Sequence, residues 1–251
     1  MTPVPIEQWS DRLQAVLDAL DGPLHRVTVL RETGSTQDAA KRMSAGPGDV
    51  VVAWRQTAGR GRLGRAWADT AEDGIAVTVV TDAGPPPWLA VASAVGAACA
   101  AEALLHRAVG IKWPNDVVVD GRKLAGVLTE QAGGRALIGI GLNVGQTDWP
   151  PDLAGRAVSL AELGAHVDRV EAVAAVLEST SHALRLDENE LGEAFSARDV
   201  LRGSRSTFRA GKSTITGTVL RVDPTQGLLV DADGRQVYLP ASTTTVVSDQ
   251  G

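Results

Sequence analysis

The tightest constraint on the fold is a run of β-rich segments joined by turns too short for anything but antiparallel pairing. Val117-Val118-Val119 and the segment opening Arg122-Lys123-Leu124 are separated only by Asp120-Gly121. A second tight turn, Gly133-Gly134, precedes the apolar run over 136–142. Asp-Gly and Gly-Gly supply the positive φ angles that two-residue hairpins need. Parallel neighbours need crossovers of roughly a dozen residues, so these short connections argue against a doubly wound parallel sheet. The spacing predicts an α+β fold, a mixed or antiparallel sheet packed with helices.

The surrounding chain supplies the helices. Trp9, Leu13, Val16, Leu17 and Leu20 recur at helical spacing and predict an amphipathic helix over 6–20 that stops at Gly22-Pro23. Residues 26–30 read as the first strand. Ser35 with Asp38 three residues on resembles a capping box, opening a helix through Met43. Strands over 50–54 and 74–81 follow, and Pro85-Pro86-Pro87 leads into a long apolar helix over 88–109. Further helices are expected over 168–186, with Val170, Val173, Val176, Leu177 and Leu184 facing inward, and around 190–195. From Ser206 the pattern changes to short strands over 214–222, 228–230, 237–239 and 244–247, divided by Asp223-Pro224, Gln226-Gly227 and Asp233-Gly234 turns. That is the pattern of a small β-barrel, and it divides the chain into a main domain, 1–203, and a barrel, 204–251.

Composition narrows the class. The helix over 88–109 is broken by Ser93, Gly96 and Glu102, so it reads as a core helix and no membrane span is expected. Residues 1–10 carry Glu7 and no basic region, unlike a secretory signal. Cys99 is the single cysteine, which excludes an internal disulfide and a cysteine-rich metal site and makes the cytoplasm the expected location. The formal charge of −6 argues against wholesale nucleic-acid binding.

Against that acidic balance stands Arg55-Gln56-Thr57-Ala58-Gly59-Arg60-Gly61-Arg62-Leu63-Gly64-Arg65-Ala66-Trp67. Glycines let backbone amides approach a ligand closely, and guanidinium groups fit phosphate or carboxylate oxygens bidentately. The segment reads as a clamp for a polyanion. It lies in a connection of about twenty residues between two strands, a length compact domains keep chiefly for function. Gly59-x-Gly61-x-x-Gly64 matches a dinucleotide fingerprint formally, but no helix follows Gly64, so that reading is rejected. Arginines and glycines alone cannot pack a core, so the segment is expected to be mobile when empty and ordered by its ligand.

Four motifs stand in a fixed order: Gly34-Ser35-Thr36, the arginine-glycine stretch, Lys112-Trp113-Pro114-Asn115-Asp116 with Lys123-Leu124-Ala125-Gly126, and Gly139-Ile140-Gly141-Leu142-Asn143. Together they resemble the biotin protein ligase family over roughly 27–143, and the terminal barrel resembles that family's usual C-terminal domain. The resemblance implies a class II aminoacyl-tRNA-synthetase-like ligase domain followed by an SH3-like barrel. It implies ATP and biotin as substrates, with Mg²⁺ expected, and the biotin carboxyl carrier domain of an acyl-CoA carboxylase as partner. Two positions depart from the family pattern: Gln37 stands where the family often has asparagine, and Leu63 where it often has arginine. About 25 residues precede the first strand, fewer than a winged helix-turn-helix needs, so the ligase-only class without DNA binding is expected. Oligomeric state, monomer or weak homodimer, is left open.

The implied chemistry has two steps. Biotin carboxylate attacks the α-phosphorus of ATP to give biotinyl-5′-AMP and pyrophosphate, and an acceptor lysine then attacks the acyl carbon and releases AMP. The resemblance implies catalytic roles for Lys123 and Arg62. Asp116 is the candidate to orient or deprotonate the incoming amine, the alternative being that it only pins Lys123 or Arg62. Biotin contacts are implied for Ser35, Thr36, Gln37, Gln56, Gly59, Arg60, Arg62, Lys123, Gly126, Gly139 and Gly141. Nucleotide contacts are implied for Arg60, Arg62, Arg65, Trp67, Asn115, Lys123 and Asn143, with Trp67 a candidate to stack on adenine. A lipoate or octanoate transferase of related fold and a non-catalytic biotin sensor are the alternatives.

Overall fold

The computed structural model describes residues 3–67 and 73–247. Residues 1–2 and 68–72 lie outside the described residues, as do the last four positions of the expected barrel, 248–251, and the side chain of Leu63.

α1 (Trp9–Ala19) buries Trp9, Leu13 and Leu17, as the spacing requires. β1 (Arg26–Thr33), α2 (Thr36–Arg42) and β2 (Asp49–Gln56) form a crossover unit in which the two strands pair in parallel. The arginine-glycine stretch folds as a small hairpin, β3 (Gly59–Arg60) against β4 (Ala66–Trp67), and β5 (Gly74–Asp82) follows. α3 (Pro86–Leu105) then leads to β6 (Gly110–Lys112), β7 (Asp116–Val119), β8 (Arg122–Ala132) and β9 (Arg135–Asn143). These strands form a seven-stranded mixed sheet in the order β1-β2-β5-β9-β8-β7-β6, antiparallel except at β1–β2. Both expected glycine turns are present, with φ of 50° and 76° at Asp120 and Gly121 and 58° and 74° at Gly133 and Gly134.

The two faces of the sheet have different tasks. Val50, Val52, Val77, Val79, Ile138 and Ile140 project into the main core, against α1, α3 and α4 (Arg169–Ala183). α3 is long and apolar enough to cross a membrane, yet its central turns are buried in this core. A Cβ on Gly96 would sit 2.8 Å from Thr180 Cα, so glycine sets how closely α3 and α4 approach. The opposite face carries smaller residues in register. Ala53, Ala76, Gly141, Gly126 and Asp116 are successive cross-strand partners over β2, β5, β9, β8 and β7. Partners opposite one another point to the same side, so this row is a shallow trough beside α2.

Two expectations are corrected. The long helix stops at Leu105 rather than 109, because His106 adopts a left-handed φ of 52° and its amide caps back to Glu102. The capping box at the start of α2 does not form, since Ser35 makes no side-chain cap bond. The Thr36 amide is taken by Gln56 Oε1 and the Asp38 carboxylate by Arg60. Tertiary partners outbid the local motif. Genuine capping boxes occur instead at Asp168–Glu171 on α4 and Asp187–Glu190 on α5 (Glu188–Ser196).

The last strands are β10 (Arg205–Ala210), β11 (Ser213–Asp223), β12 (Gly227–Ala232), β13 (Arg235–Pro240) and β14 (Thr244–Val247). They form a five-stranded antiparallel sheet ordered β13-β12-β11-β10-β14, the content expected of an SH3-like unit. β10 was not anticipated, because Arg205-Ser206-Thr207-Phe208-Arg209 offers little hydrophobic alternation. This sheet is tied to the motif segment. Trp113 is 1% exposed, follows β6, and donates its indole N–H to Pro224 O at 2.9 Å, in the turn between β11 and β12. Trp113→Phe keeps a ring but leaves that carbonyl without its donor, which costs about 1–3 kcal/mol. Urea unfolding should register the loss, and unchanged stability would show that the bond joining the two sheets is dispensable.

Candidate active site

A β-bulge builds the centre of the site. β7 and β8 pair Val117 with Ala125 but Val118 with Lys123, which leaves Leu124 as an extra residue. In an unbroken strand Lys123 and Gly126, three apart, would face opposite sides. The bulge turns Leu124 into the core, where it is fully buried, and brings Lys123 onto the trough face with Gly126. Lys123 Nζ lies 2.6 Å from Asp116 Oδ1 and 5.5 Å from the centre of the Trp67 ring. A Cβ on Gly126 would meet Lys123 Nζ at 2.9 Å and Trp67 Cζ3 at 3.1 Å.

The main chain of Lys123 is held from both sides. Its N–H donates to Arg156 O at 2.8 Å, and its carbonyl accepts from Val158 N at 2.9 Å and Asn143 Nδ2 at 3.2 Å. Asn143 Nδ2 also donates to Val158 O at 3.0 Å. Asn143 is buried, and both of its amide hydrogens are used inside the protein. Both amide hydrogens of Asn143 thus fix the Lys123 and Val158 carbonyls.

The β3–β4 hairpin covers this centre. Gly61 N donates to Arg65 O at 2.7 Å, and a single 3-10 turn, Arg62–Gly64, closes the tip with Gly64 at φ 75°. Arg62 Nη1 donates to Asn115 Oδ1 at 3.2 Å, and burial pulls its guanidinium below the ordinary arginine value. Asn115 in turn donates to Val127 O on β8. Trp67 lies against the paired glycines, since a Cβ on Gly141 would be 2.5 Å from its Cζ2 and one on Gly126 3.1 Å from its Cζ3. A Cβ on Gly59 would meet Gln56 Nε2 at 2.5 Å and Trp67 O at 2.8 Å, so only glycine fits there.

The floor beside α2 is polar. Gln56 Oε1 accepts from Thr36 N at 2.9 Å and Thr36 Oγ1 at 3.2 Å, and Thr78 Oγ1 donates to Thr36 Oγ1 at 2.8 Å. Thr78 belongs to this network although nothing in its local pattern sets it apart from any other strand threonine. Ser35 is buried at the head of α2. Gln37 donates both amide hydrogens across the sheet, to Leu128 O at 3.1 Å and Leu137 O at 3.0 Å, and a Cβ on Gly139 would be 3.1 Å from its Oε1. Its longer side chain spans to β8 and β9, so its N–H groups hold α2 down and are not free for a ligand.

Other arginines part company. Arg55 pairs with Glu32 on β1, and Arg65 is exposed. Arg60 is bound by Asp38 and Glu130, two carboxylates that sequence reasoning did not connect to it. Among the described residues no group of three His, Cys, Asp or Glu side chains forms a ready-made metal site.

Residues 29–146 match the Biotin/lipoate A/B protein ligase family. A biotin--[acetyl-CoA-carboxylase] ligase of Mycobacterium tuberculosis is 34% identical over 233 residues, covering 86% of this chain and 87% of that protein. The bifunctional ligase/repressor BirA of Bacillus subtilis is 34% identical over 161 residues, which is 59% of this chain and 50% of BirA. The solved biotin protein ligase from Aquifex aeolicus in complex with biotin and ATP aligns with a TM-score of 0.80 and 28% identity, covering 89% of this chain and 99% of that one. The fold, the order of the motifs and this extent of identity agree: the chain belongs to the biotin protein ligases of the biotin/lipoate A/B protein ligase family.

Proposed function

We propose that the protein is an ATP-dependent biotin ligase that forms biotinyl-5′-AMP and passes biotin to a lysine of a biotin carboxyl carrier domain. The observation that carries this reading is the Lys123–Asp116 pair set by the bulge, with Trp67 against Lys123, on the same face of the sheet as the Thr36–Gln56–Thr78 network. Biotin's ureido group needs hydroxyl and amide partners and its bicycle needs a small-residue surface, which the floor and the glycine trough supply. The carboxylate is already ionised at pH 7, so the first step needs no general base. Its difficulty is bringing one anion onto another. Fixed cations in a partly desolvated site answer that by positioning and electrostatic stabilisation. Lys123 and Arg62 are the cations so placed, and Mg²⁺ is assigned to the phosphates of ATP itself.

The main domain over 1–203 would then carry the chemistry, with the small sheet of β10–β14 bracing Trp113. The direct test is ATP-dependent transfer of labelled biotin to a carboxylase carrier domain. Pyrophosphate release with lipoate in place of biotin tests the nearest alternative, and equal turnover of the two acids would overturn the assignment.

Acyl transfer requires a proton acceptor, because a free lysine titrates near pH 10.4. Asp116 is a poor choice for it, since its carboxylate is already engaged by the Lys123 ammonium at 2.6 Å. The pinning role fits better. Asp116→Asn is expected to slow adenylate formation and transfer from preformed biotinyl-AMP together, each by about tenfold, the scale of one charge-assisted hydrogen bond. A loss confined to the transfer step would restore Asp116 as the base.

A further inference from the structure

We propose that Asp38 and Glu130 are positioning residues for the ligase reaction, clamping the Arg60 guanidinium so that the β3–β4 hairpin is held over the site. The chemistry rests on the biotin-ligase reading, while the clamp stands on geometry. Arg60 Nη2 donates to Asp38 Oδ1 at 2.9 Å and to Glu130 Oε1 at 3.2 Å, and Nη1 reaches Asp38 Oδ2. The planar fork of a guanidinium suits this bidentate arrangement and lysine's point charge would not. Lys41 completes a square of alternating charge, its Nζ 2.6 Å from Glu130 and 3.7 Å from Asp38. The hydrogen bond from Arg60 holds the Asp38 carboxyl below the usual carboxylate range despite its partial burial.

The anchors come from three elements: Asp38 from the first turn of α2, Glu130 from β8 and Arg60 from β3. One guanidinium thus ties the hairpin to both the helix and the strand that frame the polar floor. It is also spent on protein carboxylates, so Arg60 acts on the loop while Arg62, the more deeply buried cation, is left to face the substrate. The side chains are 37%, 39% and 25% exposed for Arg60, Asp38 and Glu130, so isosteric changes to the two acids are compatible with folding. A single exposed ion pair contributes little, but a network that orders its long side chains jointly contributes more. A ligand that needs the hairpin closed binds with an affinity reduced by the closed fraction. Loosening the clamp therefore raises the KM for biotin and leaves kcat at saturation nearly unchanged.

The test compares Asp38→Asn, Glu130→Gln, their double variant, Arg60→Ala and Arg60→Ala/Glu130→Gln, with thermal melting to confirm folding. Biotin-dependent pyrophosphate release gives KM and kcat, and amide hydrogen exchange of residues 57–67 reports the hairpin directly. Each acid variant is expected to raise the KM about two- to fivefold and the double variant about tenfold, with kcat held within about twofold and faster exchange in parallel. Removing Glu130 is expected to add nothing once Arg60 is gone, because coupled residues are not additive. Multiplying losses in Arg60→Ala/Glu130→Gln, or unchanged exchange in the Asp38→Asn/Glu130→Gln double variant, would overturn the clamp. Absence of biotin-dependent pyrophosphate release by the wild type would sink the ligase reading instead, and the exchange data would still decide the clamp.

Discussion

Lys123→Ala should lower biotin-dependent pyrophosphate release by roughly a hundred- to a thousandfold, the effect of deleting one preorganised stabilising group from a desolvated site. The size follows from how little else can substitute. Lys123 reaches the trough face because of one extra residue at Leu124, and its main chain is fixed by Arg156, Val158 and Asn143. Arg62 is directed to Asn115 and Arg60 to two carboxylates, so neither lies ready to take its place. Truncation also leaves Asp116 facing incoming anions without its ammonium, which adds repulsion to the lost attraction. The kinetic signature is a fall in kcat for adenylate formation that saturating biotin does not restore. Lys123→Arg, which keeps the charge but not its compact shape, should recover only part of the loss. Activity within about tenfold of wild type for Lys123→Ala would remove this residue from the mechanism, since even one ordinary charged hydrogen bond accounts for that much.

What the sequence made legible was what depends on local rules. The two hairpin turns, the antiparallel run β7–β8–β9 and the helices with clear periodicity could be read from glycines and apolar spacing. The order of motifs brought Lys123, Asp116, Arg62, Trp67, Gly126 and Gly141 to one place, and the structure does assemble them. What was not legible were partnerships made across the sheet. Ser35 and Asp38 have the spacing of a capping box, yet Arg60 claims the Asp38 carboxylate that such a box would use. Asn143 ends a glycine-rich strand, and its amide hydrogens go to the carbonyls of Lys123 and Val158, partners that the strand's own pattern does not name. No one-dimensional pattern encodes those choices, because each depends on which strands become neighbours. The bulge at Leu124 was hidden for the same reason: Lys123-Leu124-Ala125-Gly126 reads as ordinary strand until its register against β7 is known.

The glycines of the trough allow function to be separated from stability. Gly141→Val should cost the protein no more than about 1–3 kcal/mol of stability while lowering biotin-dependent turnover roughly ten- to a hundredfold. Gly141 sits inside β9 between Ala76 and Gly126, and its φ is not in the left-handed region, so a β-branched residue suits the backbone. Loss of unfolded-chain freedom then favours the variant slightly. The obstacle is Trp67. A Cβ at this position falls 2.5 Å from Trp67 Cζ2 and 2.9 Å from Nε1, too close for the indole to stay where it is. Overpacking of this kind costs about 1–3 kcal/mol, and the easiest relief is to lift the half-buried Trp67 and β4 rather than to distort the central strand. Lifting them removes the roof over Lys123 and draws Arg62 away from Asn115, which is why turnover falls while the core is untouched. Gly139→Ala is the control: its Cβ would come nearest to Gln37, at 3.1 Å, and should disturb α2 rather than the hairpin. Equal losses of stability and activity in Gly141→Val would mean that the trough serves packing alone, and undiminished turnover would mean that Trp67 need not lie against the sheet for catalysis.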